Sequence, residues 1–391
     1  MKYALWLAAL VACVTPSNAD ETPTAERPVV QVAILLDTSG SMEGLIHQAR
    51  TQLWSIVNEL ALAERDGLPP DLRVALYEYG NSRVPAESNW IRQVSPLTRD
   101  LDRISEVLFA LTTDGGDEYC GGVIARAVDE LEWSEGNEYR AIFIAGNEPF
   151  TQGPVDYREA CGKAIERGIV VNTIHCGPEA DGRTGEWNRG AELADGKFLN
   201  IDANSVEVAI AAPQDQRLAE LNDRLNGTYL AYGVDGQERQ VAQDGNAAAN
   251  GASVLAERCI TKWSSNYRGV NGGWDLVDAC YFASETTDLA AVPDEQLPES
   301  LRGLSLEEKK AKVGALAEER KSLLVEIGRR KRLATLVAAD ARLDPAKAER
   351  LLYDDAAFSR ELLAFAARRS LRVPYPYLGE DGRFLFADPA K

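Results

Sequence analysis

The chain has 391 residues, 45% of them hydrophobic and 26% charged, and carries a net charge of −19 at neutral pH. The length accommodates two domains, or one domain with a long appendage, and the composition excludes a collagen-like, wholly disordered or polytopic membrane protein. Acidic residues are spread along the whole sequence, so nucleic-acid phosphates and anionic lipid surfaces are repelled and neither is an expected partner; cations and basic protein surfaces are attracted more easily.

Residues 1–19 read as a signal peptide, with Lys2 as a positive n-region, Tyr3 to Val14 as an apolar core and Ser17-Asn18-Ala19 as a small-residue cleavage site before Asp20. The apolar stretch is too short to span a bilayer as a helix. A second reading stays open: Leu10-Val11-Ala12-Cys13 has the pattern of a bacterial lipobox, in which Cys13 would carry a lipid anchor. Both readings place the mature chain outside the cytoplasm, in the periplasm or at the envelope, and no later apolar run is long enough for a transmembrane segment. Disulfides can form in that compartment. Cys120, Cys161, Cys176, Cys259 and Cys280 remain, an odd number, and none belongs to a C-x-x-C pair, so a zinc site is not expected. Cys259 and Cys280 share one segment, which makes their pairing the cheapest.

After a linker at 20–27, strands and helices alternate. Val29 to Leu36 is a nearly unbroken apolar run, as expected of a strand buried on both faces. Glu43 to Leu62 reads as a helix with Leu45, Ile46, Ala49, Leu53, Ile56, Val57 and Leu60 on one stripe. Leu72 to Tyr79 is a second strand and Trp90 to Val94 a short third, close enough to form a hairpin. Helices at Arg99–Ala110 and Val123–Trp133 precede a buried strand, Arg140 to Ala145. A helix at Asp156–Arg167, a strand at Ile169–His175, an edge strand at Lys197–Ile201 and a short helix at Ser205–Ala211 complete the series. This alternation predicts an α/β fold over 28–212, a doubly wound, mostly parallel, Rossmann-like sheet whose ligands bind where strand order reverses. Residues 213–303, rich in Asn, Gly, Ala and Asp with scattered aromatics, are expected to be irregular and stapled by a disulfide, the aromatics forming its core. From 304 to 391 a mainly helical C-terminal region is expected. Ser305 and Glu308 have capping-box spacing, Gly314 and Gly328 weaken the helix that follows, and Asp344-Pro345 opens a second helix that could pack on it as a hairpin.

The first strand runs into Asp37-Thr38-Ser39-Gly40-Ser41, which places a carboxylate and two hydroxyls on one short turn entering a helix. Such hard oxygen donors suit Mg²⁺, Mn²⁺ or Ca²⁺, with neighbouring loops completing the shell. In this position Asp37-x-Ser39-x-Ser41 resembles the first element of the metal-ion-dependent adhesion site (MIDAS) of von Willebrand factor A (VWA) domains. Gly115-Gly116 before a helix resembles the second loop, and Ile142 to Pro149 the third strand and loop. Asn172 to Gly177 and Leu193 to Phe198 resemble the last two strands. The family's second loop supplies a threonine where this chain has Asp117, and its third loop an aspartate where this chain has Gly146 followed by Asn147. Two readings follow. In one the site is altered and metal-free. In the other Asp117 restores the lost charge, and Asp37, Ser39, Ser41, Asp117 and Asn147 form the metal site, with Asn147, or Glu148 in its place, contributing through water. Repulsion between two carboxylates lacking a cation favours the second, while Thr112 or Thr113 is the alternative ligand from the second loop. The resemblance implies a protein-binding module and no catalysis, the ion accepting an acidic side chain from a partner.

Other chemistries fit less well. Gly115 to Tyr119 is similar to the diguanylate cyclase signature, but an exported chain does not meet cytoplasmic GTP. An aspartate-based phosphatase would need a second aspartate where Ser39 stands, and no G-x-S-x-G elbow surrounds Ser39 or Ser41. His47 and His175 read as packed or solvent-facing, and Cys120 as structural. A metal-free scaffold acting through the C-terminal helices and a metal-dependent hydrolase stay as alternatives.

Overall fold

The computed structural model describes residues 27–339 apart from 64, 66, 67, 137, 202–212, 235, 249–251, 265, 268–270 and 284–285. The signal peptide, Cys13, the helix expected at 205–211 and the one expected after Asp344 lie outside the described residues.

A six-stranded sheet has the order β3-β2-β1-β4-β5-β6. Its strands are β1 (Val29–Asp37), β2 (Asp71–Tyr79), β3 (Ile91–Thr98), β4 (Tyr139–Gly146), β5 (Ile169–Cys176) and β6 (Phe198–Ile201). All neighbours are parallel except β2 and β3, which form the expected antiparallel hairpin. Side-chain alternation explains the continuous apolar run of β1. Val30, Val32, Ile34 and Leu36 enter one core with α1 (Ile46–Ala61) and α2 (Leu101–Ala110). Ala33 and Leu35 enter the other, with α3 (Cys120–Glu130) and α4 (Tyr157–Glu166). From β1 the order runs outward to β2 on one side and to β4 on the other, so the switch point lies between β1 and β4, at Asp37 and Gly146. Two short helices, α5 (Glu179–Thr184) and α6 (Trp187–Leu193), were not legible in the sequence; each is under eight residues and has too little apolar periodicity to register.

Up to Tyr281 the segment expected to be irregular over 213–303 is instead largely helical: α7 (Pro213–Asn226), α8 (Gly236–Ala248), α9 (Ala252–Trp263) and α10 (Leu276–Tyr281). Polar composition hid two apolar stripes, Leu218, Leu221 and Leu225 on α7 and Ala256, Cys259 and Ile260 on α9, which pack with Tyr229, Tyr267 and Trp274. The Cys259–Cys280 disulfide is not formed either. Cys259 is buried in that cluster, Cys280 packs at the edge of a separate one with Leu276 and Val277, and every described cysteine carries a free thiol.

The capping box opens α11 (Leu306–Ala339), with the Ser305 N–H donating to Glu308 Oε2 at 2.9 Å. The two glycines inside this helix are crossing points. A Cβ on Gly328 would lie 2.7 Å from the Trp263 ring, and one on Gly314 3.0 Å from Tyr281 Oη. Gly328→Ala should therefore lower stability by about 1–3 kcal/mol in urea unfolding, even though alanine gains about 1 kcal/mol in helix propensity; a more stable variant would show that the crossing yields easily.

The helical region docks at the N-terminal edge of the sheet, away from Asp37. Asn58 near the end of α1 donates to Glu257 Oε2 at 2.7 Å and accepts from Thr261 Oγ1 at 2.6 Å. Arg258, 2% exposed, reaches Ser105 Oγ at 2.7 Å and Asp102 at 3.1 Å on α2. Asn266 accepts from the Leu72 N–H at 3.2 Å and donates to the Ala61 carbonyl at 2.9 Å.

Candidate metal centre

The last residue of β1, Asp37, is fully buried, as is Ser39. Asp37 Oδ1 accepts the Ser39 N–H at 2.8 Å, an Asx turn that bends the chain toward α1. Asp37 Oδ2 has no hydrogen-bond partner. Ser39 Oγ lies 2.9 Å from Ser41 Oγ, and Ser41 Oγ donates to Asn147 Oδ1 at 3.0 Å. In return Asn147 Nδ2 donates to the Ser41 carbonyl at 3.1 Å. Four of the five residues expected at the site, Asp37, Ser39, Ser41 and Asn147, thus meet at one rim of the sheet.

The fifth, Asp117, does not face them: it is exposed and accepts a hydrogen bond from Tyr119 Oη at 3.2 Å. Its neighbour Glu118, which sequence reasoning missed, is turned inward. Gly80, at φ +78°, ends β2 in a conformation disfavoured for other residues. A Cβ there would meet Asp37 Oδ1 at 2.9 Å, Glu118 Cγ at 3.0 Å and Ser39 Cβ at 3.2 Å. The three side chains therefore converge on one small space. The only hint in the sequence was a second acidic residue beside Asp117, and loop alignment carries a one-residue ambiguity. Thr112, the other second-loop option, is exposed, and its hydroxyl is taken by Arg83 at 3.0 Å.

The supports of the loops explain this arrangement. Asp114 N–H donates to the Thr38 carbonyl at 3.0 Å, and Asn81 Nδ2 bridges the carbonyls of Thr38 at 3.2 Å and Thr112 at 2.9 Å, tying the first and second loops together. His175, 2% exposed, holds the third loop: one ring nitrogen lies 3.1 Å from Asn200 Oδ1 and the other 3.3 Å from the Asn147 carbonyl. The Cys120 thiol is buried, and burial pushes its pKa far above the usual range, so it is no ready nucleophile.

Burial raises the Asp37 carboxyl to about 7 against the lowering pull of Ser39 and of the Asn147 N–H, and Glu118 adds to the rise. Burial and the nearby Glu148 raise Glu118 in turn. Among the described residues no Lys or Arg pairs with Asp37, Asp117, Glu118 or Glu148. Nor do three His, Cys, Asp or Glu side chains form a metal-holding group among them, so hydroxyl and amide oxygens would have to complete any shell. The donors present fit a hard divalent cation: an orphaned buried carboxylate oxygen, two adjacent hydroxyls and an amide oxygen, all oxygen ligands.

A sheet with this topology, carrying Asp-x-Ser-x-Ser at its switch point, has the architecture of the VWA class. Residues 31–188 match the family model described as von Willebrand factor type A domain, and this part of the chain is a VWA domain. Such domains commonly mediate protein interactions. Among solved structures the chain is similar to the conserved hypothetical protein BatB from Bacteroides thetaiotaomicron, at 15% identity and a TM-score of 0.34, covering 56% of this chain and 100% of that one. It is also similar to an aerotolerance-related membrane protein from Bacteroides fragilis, at 20% identity and a TM-score of 0.32, covering 46% and 96%. A third is proximal thread matrix protein 1 from the mussel byssus with a zinc-occupied MIDAS motif, at 12% identity and a TM-score of 0.34, covering 46% and 43%. No curated protein matches the chain. No described helix is long and apolar enough to cross a membrane.

Proposed function

We propose that the VWA domain is an extracytoplasmic protein-binding module and not an enzyme. Its binding surface is the rim at Asp37, where a divalent cation, Mg²⁺ with Mn²⁺ or Ca²⁺ as substitutes, is held by Asp37, Ser39, Ser41 and Asn147 with a carboxylate from the second loop. The ion supplies an open coordination position for an acidic side chain of a protein partner, and the surrounding loops set specificity. The observation that carries this reading is the buried, unpartnered Asp37 Oδ2, on a loop whose Ser39 and Ser41 hydroxyls meet at 2.9 Å. A buried carboxylate without a counter-charge is costly, and a cation relieves that cost. The export-signal pattern of residues 1–19 supports the location.

Calorimetric titration of the mature protein with Mg²⁺ and Mn²⁺ tests it. Wild type is expected to bind one ion and Asp37→Ala none. Absence of binding in wild type would favour a metal-free scaffold, a reading supported by the docking of the helical region on α1 and α2 through Asn58, Arg258 and Asn266.

A further inference from the structure

We infer that Glu118, and not Asp117, is the second anionic ligand of the cation site, an inference that rests on the cation-binding reading above. Three observations carry it. Glu118 and Asp37 approach the same point above Gly80, with the Ser39 side chain beside them. Asp117 is exposed and engaged by Tyr119. The third is Gly146. A side chain there would begin 2.5 Å from Tyr79 Oη and 3.0 Å from Asp37 Oδ2, and the Tyr79 hydroxyl is itself fixed on the Ala145 carbonyl at 3.1 Å. Tyr79 thus closes position 146 to a carboxylate, and Glu118 brings the missing charge from the second loop, across the space above Gly80.

Two carboxylates balance a divalent ion, so the site holds its cation without an acidic group from a partner. Glu118 is half-buried and has no Lys or Arg partner among the described residues, which leaves its carboxylate available to an ion.

The test is Mn²⁺ titration calorimetry on the mature full chain, without a partner, for wild type, Glu118→Gln and Asp117→Asn. Thermal melts of the cation-free proteins confirm that all three are folded. Glu118→Gln is expected to weaken Mn²⁺ binding by about tenfold or more, about 1.4 kcal/mol, while Asp117→Asn changes it by less than about threefold. Wild-type affinity in Glu118→Gln, or a larger loss in Asp117→Asn, overturns the inference and leaves the cation site standing. If wild type takes up no Mn²⁺, both fall together.

Discussion

Without added cation at a pH of about 7.5, Asp37→Asn is expected to stabilise the protein by on the order of 1–3 kcal/mol while abolishing the rise in Tm that Mn²⁺ gives wild type. The sign follows from burial. The Asp37 carboxyl is raised from 3.8 to about 7 in the folded chain, so folding favours the protonated form. That contribution is complete below the unfolded pKa and is lost as pH rises through the folded one. Above neutrality the cation-free wild type therefore holds an unfavourable buried charge, which asparagine does not carry. The gap between the two proteins should narrow as pH falls from about 7 and close below 3.8, where Asp37 is protonated in both states. A variant less stable than wild type at the higher pH would mean that Asp37 is structurally required, and the cation reading would lose its main support.

Arg320→Met is expected to destabilise the helical region by about 3–5 kcal/mol in urea unfolding. The Arg320 guanidinium is 3% exposed and bonds Asp275 Oδ2 at 2.6 Å, Thr228 Oγ1 at 3.0 Å and the Thr228 carbonyl at 2.7 Å. It also lies 4.1 Å from the centroid of the Tyr229 ring, which stacks on Trp274. Asp275 is fully buried, caps α10 through the N–H groups of Val277 and Asp278, and accepts the Leu230 N–H at 2.8 Å. Removing the arginine leaves that carboxylate buried without its counter-charge. The double replacement Arg320→Met with Asp275→Asn should recover part of the loss; no recovery would show that packing against Tyr229, and not charge, dominates.

The VWA part was legible because its signals are redundant. The β1 run, the α1 stripe and the Asp37-x-Ser39-x-Ser41 turn each point to the same sheet, and a strand buried on both faces has few alternatives. The hydroxyl pair and Asn147 were legible for the same reason, since each directly follows a strand whose end is well marked. Asp117 and Glu118 were not separable. Two adjacent acidic residues in a loop point in opposite directions, and only the fixed path past Gly80 decides which one turns inward. The helices α7 to α9 were obscured by their polar composition, because their apolar positions are few and become decisive only when Tyr229, Tyr267 and Trp274 pack against them. Gly314 and Gly328 misled in the other direction. Glycine lowers helix propensity, yet here it creates the clearance that lets Tyr281 and Trp263 cross α11.

The docking of the helical region on α1 and α2 sets where the molecule can be divided. A fragment ending at residue 212 keeps the family-matched segment but strips the cover from Asn58, Asp102, Ser105 and the backbone of Ala61 and Leu72, all of which α9 and the residues just after it now satisfy. Lone A-domain preparations of this protein should therefore come out of expression poorly soluble, and the smallest piece worth purifying extends through α11.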